Sequence, residues 1–124
     1  MGEWNFSNDR PIYIQLVEKI TAKIISGEFE CGEKLPSVRD LAADCGVNPN
    51  TMQKALSELE RMELIFTQRT TGKTVTEDKG RIDSMKKELA AQQIIEFLEK
   101  MQKLGFTKEE IISYIKQIQE GNDL

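Results

Sequence analysis

Apolar residues recur at helical spacing in two segments near the start of the chain. The first segment begins at Pro11, whose fixed φ suits the first position of a helix, and it ends at Gly27. Ser37 is a suitable N-cap for the second, shorter segment, which ends at Gly46. Several glycine and proline residues between the two segments predict a loop. The residues expected to face the core are Tyr13, Leu16, Val17, Ile20 and Ile24 in the first helix, Phe29 and Leu35 in the loop, and Val38, Leu41, Ala42 and Cys45 in the second helix.

A third helical segment follows after only three residues, which is the sequence form of a helix-turn-helix. Asn48 is a suitable N-cap for it, and Pro49 occupies its first helical position. The stripe expected to face the core consists of Met52, Ala55, Leu56, Leu59 and Met62. This stripe also fixes the direction of the opposite face. The opposite face is polar and consists of Asn50, Gln53, Lys54, Ser57 and Arg61, with Thr51 at its flank.

The period changes after Met62 to that of an extended chain. Residues 64–68 (LIFTQ) and 73–77 (KTVTE) are rich in β-branched and aromatic residues and predict two short strands. The intervening RTTG at 69–72 predicts a hairpin turn. The expected fold is therefore mostly α with a small β-hairpin, a winged helix-turn-helix followed by a two-helix tail.

Two more helices are expected in the C-terminal part of the chain. A long helical pattern runs from about Gly80 to Leu104 and stops at Gly105. Thr107 and Glu110 then have the spacing of a capping box at the start of the final helix.

The long helix carries apolar residues on two faces, centred roughly 130° apart at about 100° per residue. Ile82, Met85 and Leu89 form the first face, which we expect to lie on the N-terminal unit. The second half of this helix and the final helix hold more bulky apolar residues than a two-helix hairpin can bury, so we infer a homodimer. The expected interface residues are Ile94, Ile95, Leu98, Met101, Leu104, Ile111, Tyr114, Ile115 and Ile118. The alternative is a monomer whose two C-terminal helices fold back on the first domain.

Composition excludes several classes of protein. The chain has 124 residues, no histidine and two cysteines, Cys31 and Cys45. No apolar run approaches the ~18 residues of a membrane span, and the N-terminus lacks the features of a secretory signal, so we expect a cytoplasmic protein. We expect both cysteines to be reduced thiols, with a redox switch as the alternative. Because no histidine, phosphate loop, nucleophile elbow or metal cluster is present, we expect no enzymatic activity, no cofactor and no metal.

The distribution of charge limits where a nucleic acid could bind. Residues 1–78 hold nine Lys and Arg against thirteen Asp and Glu, although nucleic-acid binders usually show a basic surface. Residues 34–54 have three cations and two acids, and residues 64–76 have two cations and no acid. Any surface that attracts DNA must therefore be local to these segments.

The polar face of the third helix suits the edges of base pairs in a major groove. The amides of Asn50 and Gln53 can pair with adenine, and Lys54 can reach guanine or phosphate. At the start of the second helix, Ser37 and Arg39 have the arrangement that binds phosphate beside the groove. At the hairpin tip, Arg69 and Lys73 lie around the turn at Gly72, from which they can reach a flanking minor groove or the backbone.

Residues 10 to 76 also resemble the winged helix-turn-helix domain of GntR-type bacterial transcription regulators. The matching motifs are Leu-Pro-Ser with a basic residue at 35–39, Leu-Ala at 41–42, Gly-Val at 46–47 and a third helix that contains Thr51. The segment VNPNT with a following KA and ELE, and the short two-helix tail, are similar to the YtrA-like subfamily. The resemblance implies a homodimeric repressor on a palindromic operator, often one of ABC transporter or envelope-stress genes. The DNA-binding residues expected from the pattern and the resemblance together are Ser37, Arg39, Asn50, Thr51, Gln53, Lys54, Arg69, Thr71, Gly72 and Lys73.

Two alternatives remain open on the sequence alone. A winged-helix module could use its polar face to bind protein and never bind DNA, and the net charge of −4 is compatible with this alternative. A tail of about 45 residues is too short to enclose the usual pocket of ~300 Å³ or more, so we expect no dedicated ligand domain. A small-molecule effector in the dimer crevice stays open, and its identity is unknown.

Overall fold

A computed structural model describes residues 4–121. Within this range the chain forms five helices and one two-stranded antiparallel sheet, which confirms the expected mostly α fold. The elements are α1 (Ile12–Ser26), α2 (Val38–Cys45), α3 (Pro49–Arg61), β1 (Ile65–Gln68), β2 (Gly72–Val75), α4 (Lys79–Lys103) and α5 (Lys108–Gly121). No helix in the described range combines the length and the apolar content needed to cross a bilayer.

The start of α1 differs slightly from the prediction. Pro11 is the N-cap, with ψ of 141°, so the helix begins one residue later at Ile12. Leu16, Ile20 and Ile24 are buried as expected, whereas Tyr13 and Val17 of the predicted core stripe are only half-buried. Gly27 ends the helix with a φ of 86°, a conformation that costs glycine little.

A buried polar residue of α1, which the apolar pattern did not reveal, holds the N-terminal segment. The side-chain amide of Gln15 donates to the carbonyl oxygens of Ser7 and Arg10 and accepts from the Ser7 N–H. Gln15 is therefore buried without an unsatisfied polar group, which would otherwise be costly. The segment before α1 is tied to the helix by these bonds.

The helix-turn-helix forms at the predicted positions. The Ser37 hydroxyl accepts from the Asp40 N–H at 3.1 Å and caps α2, and Gly46 ends that helix in the left-handed conformation. The Asn48 side chain accepts from the Asn50 N–H at 2.7 Å and caps α3, with Pro49 at its first position. These bonds satisfy N–H groups that have no partner inside the helices.

The bounds of the strands differ slightly from the prediction: β1 begins one residue later than expected, and β2 begins one residue earlier and ends two residues earlier. Ile65 pairs with Val75 and Gln68 with Gly72, so the connecting loop is residues 69–71 and Gly72 already belongs to β2. The positive φ of Gly72, 85°, lets the ladder resume directly after the loop.

The loop predicted before α2 also contributes to the sheet. Lys34 forms a bridge with Thr74, and the Leu35 N–H donates to the Lys73 carbonyl at 2.9 Å. The Val75 N–H donates to the Glu33 carbonyl at 2.9 Å. The glycine and proline content of this segment hid a short extended stretch that covers the outer edge of β2.

The chain divides into two compact units, with the break between Met85 and Lys86 in α4. The first unit holds almost all the buried apolar residues. They are Leu16, Ile20, Ile24, Phe29, Leu35, Leu41, Ala42, Cys45, Met52, Ala55, Leu56, Leu59, Leu64, Ile65, Val75 and Met85. The start of α4 is attached to this unit by the Arg81 guanidinium, which donates to the Met62 carbonyl at 2.9 and 3.1 Å.

The second unit consists of the rest of α4 and α5. The predicted capping box is confirmed, since the Thr107 hydroxyl accepts from the Glu110 N–H and the Glu110 carboxylate accepts from the Thr107 N–H. These bonds hold the pKa of Glu110 below its ordinary value. Phe106 packs edge-to-face on Tyr114, with ring centroids 6.3 Å apart. An open apolar groove of about 370 Å³ lies beside them, lined by Phe97, Met101, Phe106, Ile111, Tyr114, Ile115 and Ile118.

Both cysteines are free thiols. Cys45 is buried as predicted, and desolvation, together with the charge of Asp44, raises the pKa of its thiol to about 11. Cys31 is exposed, and its thiol donates to the Thr76 carbonyl at 3.1 Å.

Candidate nucleic-acid interface

The two faces of α3 have the directions expected from the sequence. Met52, Leu56 and Leu59 are 0% exposed, so one side of this helix is fixed in the core. The opposite side is exposed at Asn50, Gln53, Lys54, Ser57 and Arg61, and Thr51 is half-buried at its flank. A row of amides, a hydroxyl and amines therefore lies on the surface from the first turn of α3 onward, as a helix that enters a major groove requires.

Several side chains of this face are already engaged within the protein. The Gln53 amide nitrogen donates to the Ser57 hydroxyl at 3.1 Å, which leaves the amide oxygen available as an acceptor. The Lys54 ammonium lies 3.8 Å from the centroid of the Tyr13 ring, close enough for a cation–π contact. Arg61 forms an ion pair with Glu58 one turn earlier.

The N-terminus of α2 offers a positive end and a free cation. Arg39 is exposed in the first turn, and among residues 4–121 its guanidinium has no hydrogen-bond or ion-pair partner. The first N–H groups of a helix attract anions, and a cation beside them strengthens that attraction. The arrangement suits a phosphate group.

The two cations of the hairpin differ in their surroundings. Arg69 is exposed in the loop and has no ion-pair partner within the described part of the chain. The Lys73 ammonium is bound to the Glu60 carboxylate and donates to the Thr67 hydroxyl at 2.9 Å. Its side chain is only 15% exposed. Arg69 is thus the available charge at the tip, while the charge of Lys73 is balanced inside the protein.

Glu60, near the end of α3, is the residue that connects this helix to the hairpin residues Thr67 and Lys73. Its carboxylate accepts from Lys73 and also from the Thr67 hydroxyl at 2.8 Å. The hydrogen bond from Lys73 holds the pKa of Glu60 below its ordinary value. The carboxylate is therefore ionised near neutral pH and bridges α3 to both strands of the hairpin.

A groove of about 640 Å³ separates the start of α2 from the hairpin. It brings together four of the predicted site residues, Ser37, Thr71, Gly72 and Lys73. The other six, Arg39, Asn50, Thr51, Gln53, Lys54 and Arg69, do not line it. The lining also includes Lys34, Leu35, Pro36, Val38, Asp40, Thr67 and Thr70.

The sequence pattern missed two contributors to this surface. Tyr13 was assigned to the core stripe of α1, but its half-buried ring contacts Lys54 on α3. Glu60 lies between the two faces of α3, and its partners are 7 and 13 residues further along the chain. Periodicity within one element contains no signal for contacts of this kind.

The expected dimer surface is largely exposed in the single chain. Ile94, Ile95, Leu104, Tyr114 and Ile115 are exposed, and Leu98, Met101 and Ile118 are half-buried. Ile111 differs from them, since at 1% exposure it is already covered within the chain and has no surface left for a partner. Phe97 and Ile112, which the expected set lacks, are exposed beside these residues.

No group of three or more His, Cys, Asp or Glu residues that could hold a metal ion occurs among residues 4–121.

Comparison with known protein families gives one match that covers half of the chain. Residues 12–75, from α1 to the end of β2, match the bacterial regulatory proteins of the gntR family. The HTH-type transcriptional repressor YtrA of Bacillus subtilis is 34% identical over 109 residues, which are 87% of this chain and 84% of YtrA.

Solved structures agree with this match. A GntR family transcriptional regulator from Listeria monocytogenes superposes with a TM-score of 0.85 at 46% identity and covers 90% of this chain and 98% of its own. The DNA-binding domain of AraR in complex with operator ORR3 superposes with a TM-score of 0.52 at 26% identity, over 61% of this chain and 92% of that domain. The relatives found are transcription regulators, which agrees with a non-catalytic role at the level of the family.

Proposed function

Since the chain belongs to the GntR family of DNA-binding transcription regulators, we propose that it is a homodimeric repressor that recognises a palindromic operator. Residues 1–78 are the DNA-binding domain in this proposal, and residues 79–124 are the dimerisation region. The resemblance to YtrA-like regulators extends the proposal to ABC transporter or envelope-stress genes as targets.

One observation carries the proposal, the exposed polar face of α3 opposite a fully buried one. Because Met52, Leu56 and Leu59 are completely buried, α3 cannot rotate to hide Asn50 or Gln53 without opening the core. Each of these amides offers a donor and an acceptor, the combination that pairs with adenine in the major groove. AraR, which has a similar domain, is seen bound to an operator.

Phosphate contacts come from other parts of the first unit. In this proposal Ser37 and Arg39 bind phosphate through the start of α2, and Arg69 reaches the DNA from the hairpin loop. Lys54, held near Tyr13, contacts either a base edge or a phosphate. The net charge of −4 does not oppose this assignment, because these segments contain the local cations and the excess acids are elsewhere.

The proposal of a homodimer depends on the second unit. Its apolar side chains are exposed at Ile94, Ile95, Phe97, Leu104, Ile112, Tyr114 and Ile115, more exposed bulky apolar residues than a soluble monomer usually has on two helices. A second copy of the chain presents the same surface and can cover it through a two-fold contact. A dimer also places two α3 helices on one duplex, which fits a palindromic site.

The two helices of the second unit repeat one apolar pattern. Residues 94–101 read IIEFLEKM and residues 111–118 read IISYIKQI, with apolar side chains at the same five positions. Four helices with equivalent faces, two from each copy, can pack around a common core. This repeat supports a four-helix interface for the proposed dimer.

DNA binding is tested first with the duplex that lies upstream of the protein's own gene. We expect the protein to retard this duplex in an electrophoretic assay and to bind an unrelated duplex more weakly. The Arg39→Ala variant should bind all duplexes more weakly, with the slope of log affinity against log salt reduced by about one unit. An unchanged slope would show that Arg39 makes no phosphate contact.

The competing function, a protein-binding module without DNA affinity, has a clear signature. It predicts no retardation of any duplex even at ~50 mM salt, where electrostatic attraction is strong.

The repressor role has its own test, since deletion of the gene should increase transcription from the bound promoter. A decrease would identify an activator.

A further inference from the structure

The contacts between the end of α3 and the hairpin assign a role to Lys73 that its position in the sequence does not suggest. We propose that Glu60, Thr67 and Lys73 form a positioning site that fixes the hairpin against α3, and that Lys73 acts on DNA affinity through this site and not by contacting phosphate. The inference rests on the proposed DNA-binding function. In the following we call these three residues the Glu60 site.

The geometry of the Glu60 site closes a ring of three polar contacts. The Glu60 carboxylate accepts from both Lys73 and Thr67, and Lys73 in turn donates to the Thr67 hydroxyl. Thr67 and Lys73 are direct partners in the β ladder, so each strand of the hairpin supplies one member. One carboxylate on α3 therefore holds both strands at once.

Burial and charge explain why Lys73 is a poor phosphate contact. Its side chain is 15% exposed and that of Glu60 is 33% exposed, so the pair is largely withdrawn from solvent. To reach a phosphate, the ammonium would have to leave the carboxylate and expose it as an unpaired acid near the DNA. Breaking a partly buried pair in this way is unfavourable, because the Glu60 carboxylate then keeps only the Thr67 hydroxyl and no opposite charge as its partner.

The alternative anchor of the hairpin lies on its other side. The backbone of residues 33–35 bonds to β2 through the Leu35 and Val75 N–H groups. These bonds fix β2 but do not connect either strand to α3. The Glu60 site adds a side-chain link from both strands to α3, beside the packing of β1 on that helix, and we expect it to set where Arg69 at the tip lies relative to the exposed face of α3.

The direction in which Glu60→Gln changes DNA affinity distinguishes a positioning role of Lys73 from a direct phosphate contact. If Lys73 contacts phosphate, Glu60→Gln removes a competing acid and should strengthen DNA binding or leave it unchanged. If the Glu60 site positions the hairpin, Glu60→Gln loosens the hairpin and weakens binding. We expect a loss of about fivefold, the size of one ordinary hydrogen bond.

The experiment measures binding of the upstream duplex at several salt concentrations for wild type, Glu60→Gln, Lys73→Met and the exchanged variant E60K/K73E. We expect both single variants to bind about fivefold more weakly with an unchanged salt slope, and the exchanged variant to recover most of the loss. Arg69→Ala should instead lower the slope by about one unit. A slope lowered by one unit in Lys73→Met, or stronger binding by Glu60→Gln, overturns the proposal.

Glu58→Gln is the matched control for the charge change. Glu58 lies on the same turn of α3, but its carboxylate pairs with Arg61, and among the described residues it has no hydrogen bond or ion pair with the hairpin. Glu58→Gln removes the same charge at almost the same place as Glu60→Gln. We therefore expect this variant to bind DNA as strongly as wild type or slightly more strongly. A loss in Glu58→Gln as large as that in Glu60→Gln would attribute the effect to charge and overturn the positioning role.

A second measurement does not depend on DNA. Amide hydrogen exchange of the free protein should become faster in β1 and β2 for Glu60→Gln and Lys73→Met, and stay unchanged in α1 and for Glu58→Gln. Unchanged exchange of the hairpin amides overturns the proposal. Failure of wild type to bind any duplex would instead refute the proposed function, and the exchange data would still decide whether the Glu60 site holds the hairpin.

Discussion

Helices α3 and α5 have almost the same length and both are amphipathic, but they differ in how much of the apolar stripe is covered. Four of the five residues predicted for the α3 stripe, Met52, Ala55, Leu56 and Leu59, are 0% exposed, whereas Met62, which is the C-cap of the helix, is half-buried. On α5 only Ile111 is covered to this degree, while Tyr114 and Ile115 remain about half exposed. The first unit thus buries its apolar residues by itself. The second unit has an exposed apolar surface that a second copy of the chain could cover.

This difference has a physical basis in what each helix packs against. Short helices are marginal in water on their own, and most of their stability comes from burying an apolar face. Helix α3 is surrounded by α1, α2 and β1, which cover its stripe. The second unit offers α5 only the distal half of α4. We therefore expect the stability of the second unit to depend on protein concentration, and that of the first unit not to depend on it.

The largest expected effect comes from removing a fully buried side chain of the first unit. Leu56→Ala should lower the free energy of unfolding by about 3 kcal/mol, because it loses both apolar burial and packing. The matched change Ile115→Ala, at a half-exposed position on α5, should cost less than about 1 kcal/mol at concentrations where the protein is monomeric. Urea unfolding followed by circular dichroism measures both. Equal losses in the two variants would contradict the contrast between the units.

A charge on the exposed surface of the second unit should affect association and not folding. Leu104 is 73% exposed, so Leu104→Asp introduces no buried charge in the single chain. In the proposed dimer the same aspartate would lose water, and we expect dimer dissociation to become about tenfold to a hundredfold easier. Sedimentation equilibrium at micromolar concentration measures this.

The neighbouring substitution Gln102→Asp is the control for Leu104→Asp, since Gln102 is exposed and lies outside the apolar surface. It should leave the association unchanged. A monomeric wild type, or equal effects of the two aspartates, would show that the apolar surface of α4 and α5 is not covered by a second copy.

The sequence predicted the helices, caps and turns of the first unit, but it did not predict the side-chain contacts between these elements. The caps at Ser37 and Asn48, the three-residue turn and the buried stripe of α3 follow from local chemistry, and all are found. Gln15 and Glu60 were missed because a polar residue is informative only once its partners are known. Those partners come from other elements, which pattern within one helix does not reveal.

For the candidate site, the sequence predicted which side chains are exposed, but it did not predict which cation is paired with an acid. Exposure of Asn50, Gln53 and Arg39 follows directly from helical periodicity and is found. The pairing of Lys73 with Glu60 required the packing of the hairpin on α3, which no local rule supplies. The sequence thus located the surface, and the structure distinguished Arg39 and Arg69, which have no ion-pair partner among the described residues, from Lys73, which is paired with Glu60.

Thiol chemistry tests whether the first unit stays closed in solution. Desolvation raises the pKa of Cys45 from its ordinary value of 9.0 to about 11, so the folded protein keeps this proton where the unfolded chain loses it. The stability from the protonated thiol is therefore fully present below pH 9 and decreases as the pH rises towards 11. We expect a loss of about 1–2 kcal/mol over this range.

The comparison of wild type with Cys45→Ala isolates this contribution, because other groups titrate in both proteins. The exposed Cys31 serves as the reference thiol for the reaction with Ellman's reagent. Ellman's reagent should modify one thiol rapidly and Cys45 only on unfolding. Rapid reaction of both thiols would mean that the first core opens readily.

The smallest expected effect concerns the turns that end the helices of the two units. In the second unit Gly105 follows α4 with a φ of 99°, whereas in the first unit Glu63 follows α3 with a φ of 63°. A side chain in this left-handed region is strained, and glycine removes the strain at the cost of a more flexible unfolded chain. We expect Glu63→Gly to raise the free energy of unfolding by about 0.5 kcal/mol and Gly105→Ala to lower it by about 1 kcal/mol. Nothing lies within 4 Å of the position that an alanine Cβ would occupy at Gly105, so backbone conformation alone sets the sign there. Denaturation of the two variants beside wild type measures both changes, and a loss of stability in Glu63→Gly would mean that the Glu63 side chain contributes more than its backbone strain costs.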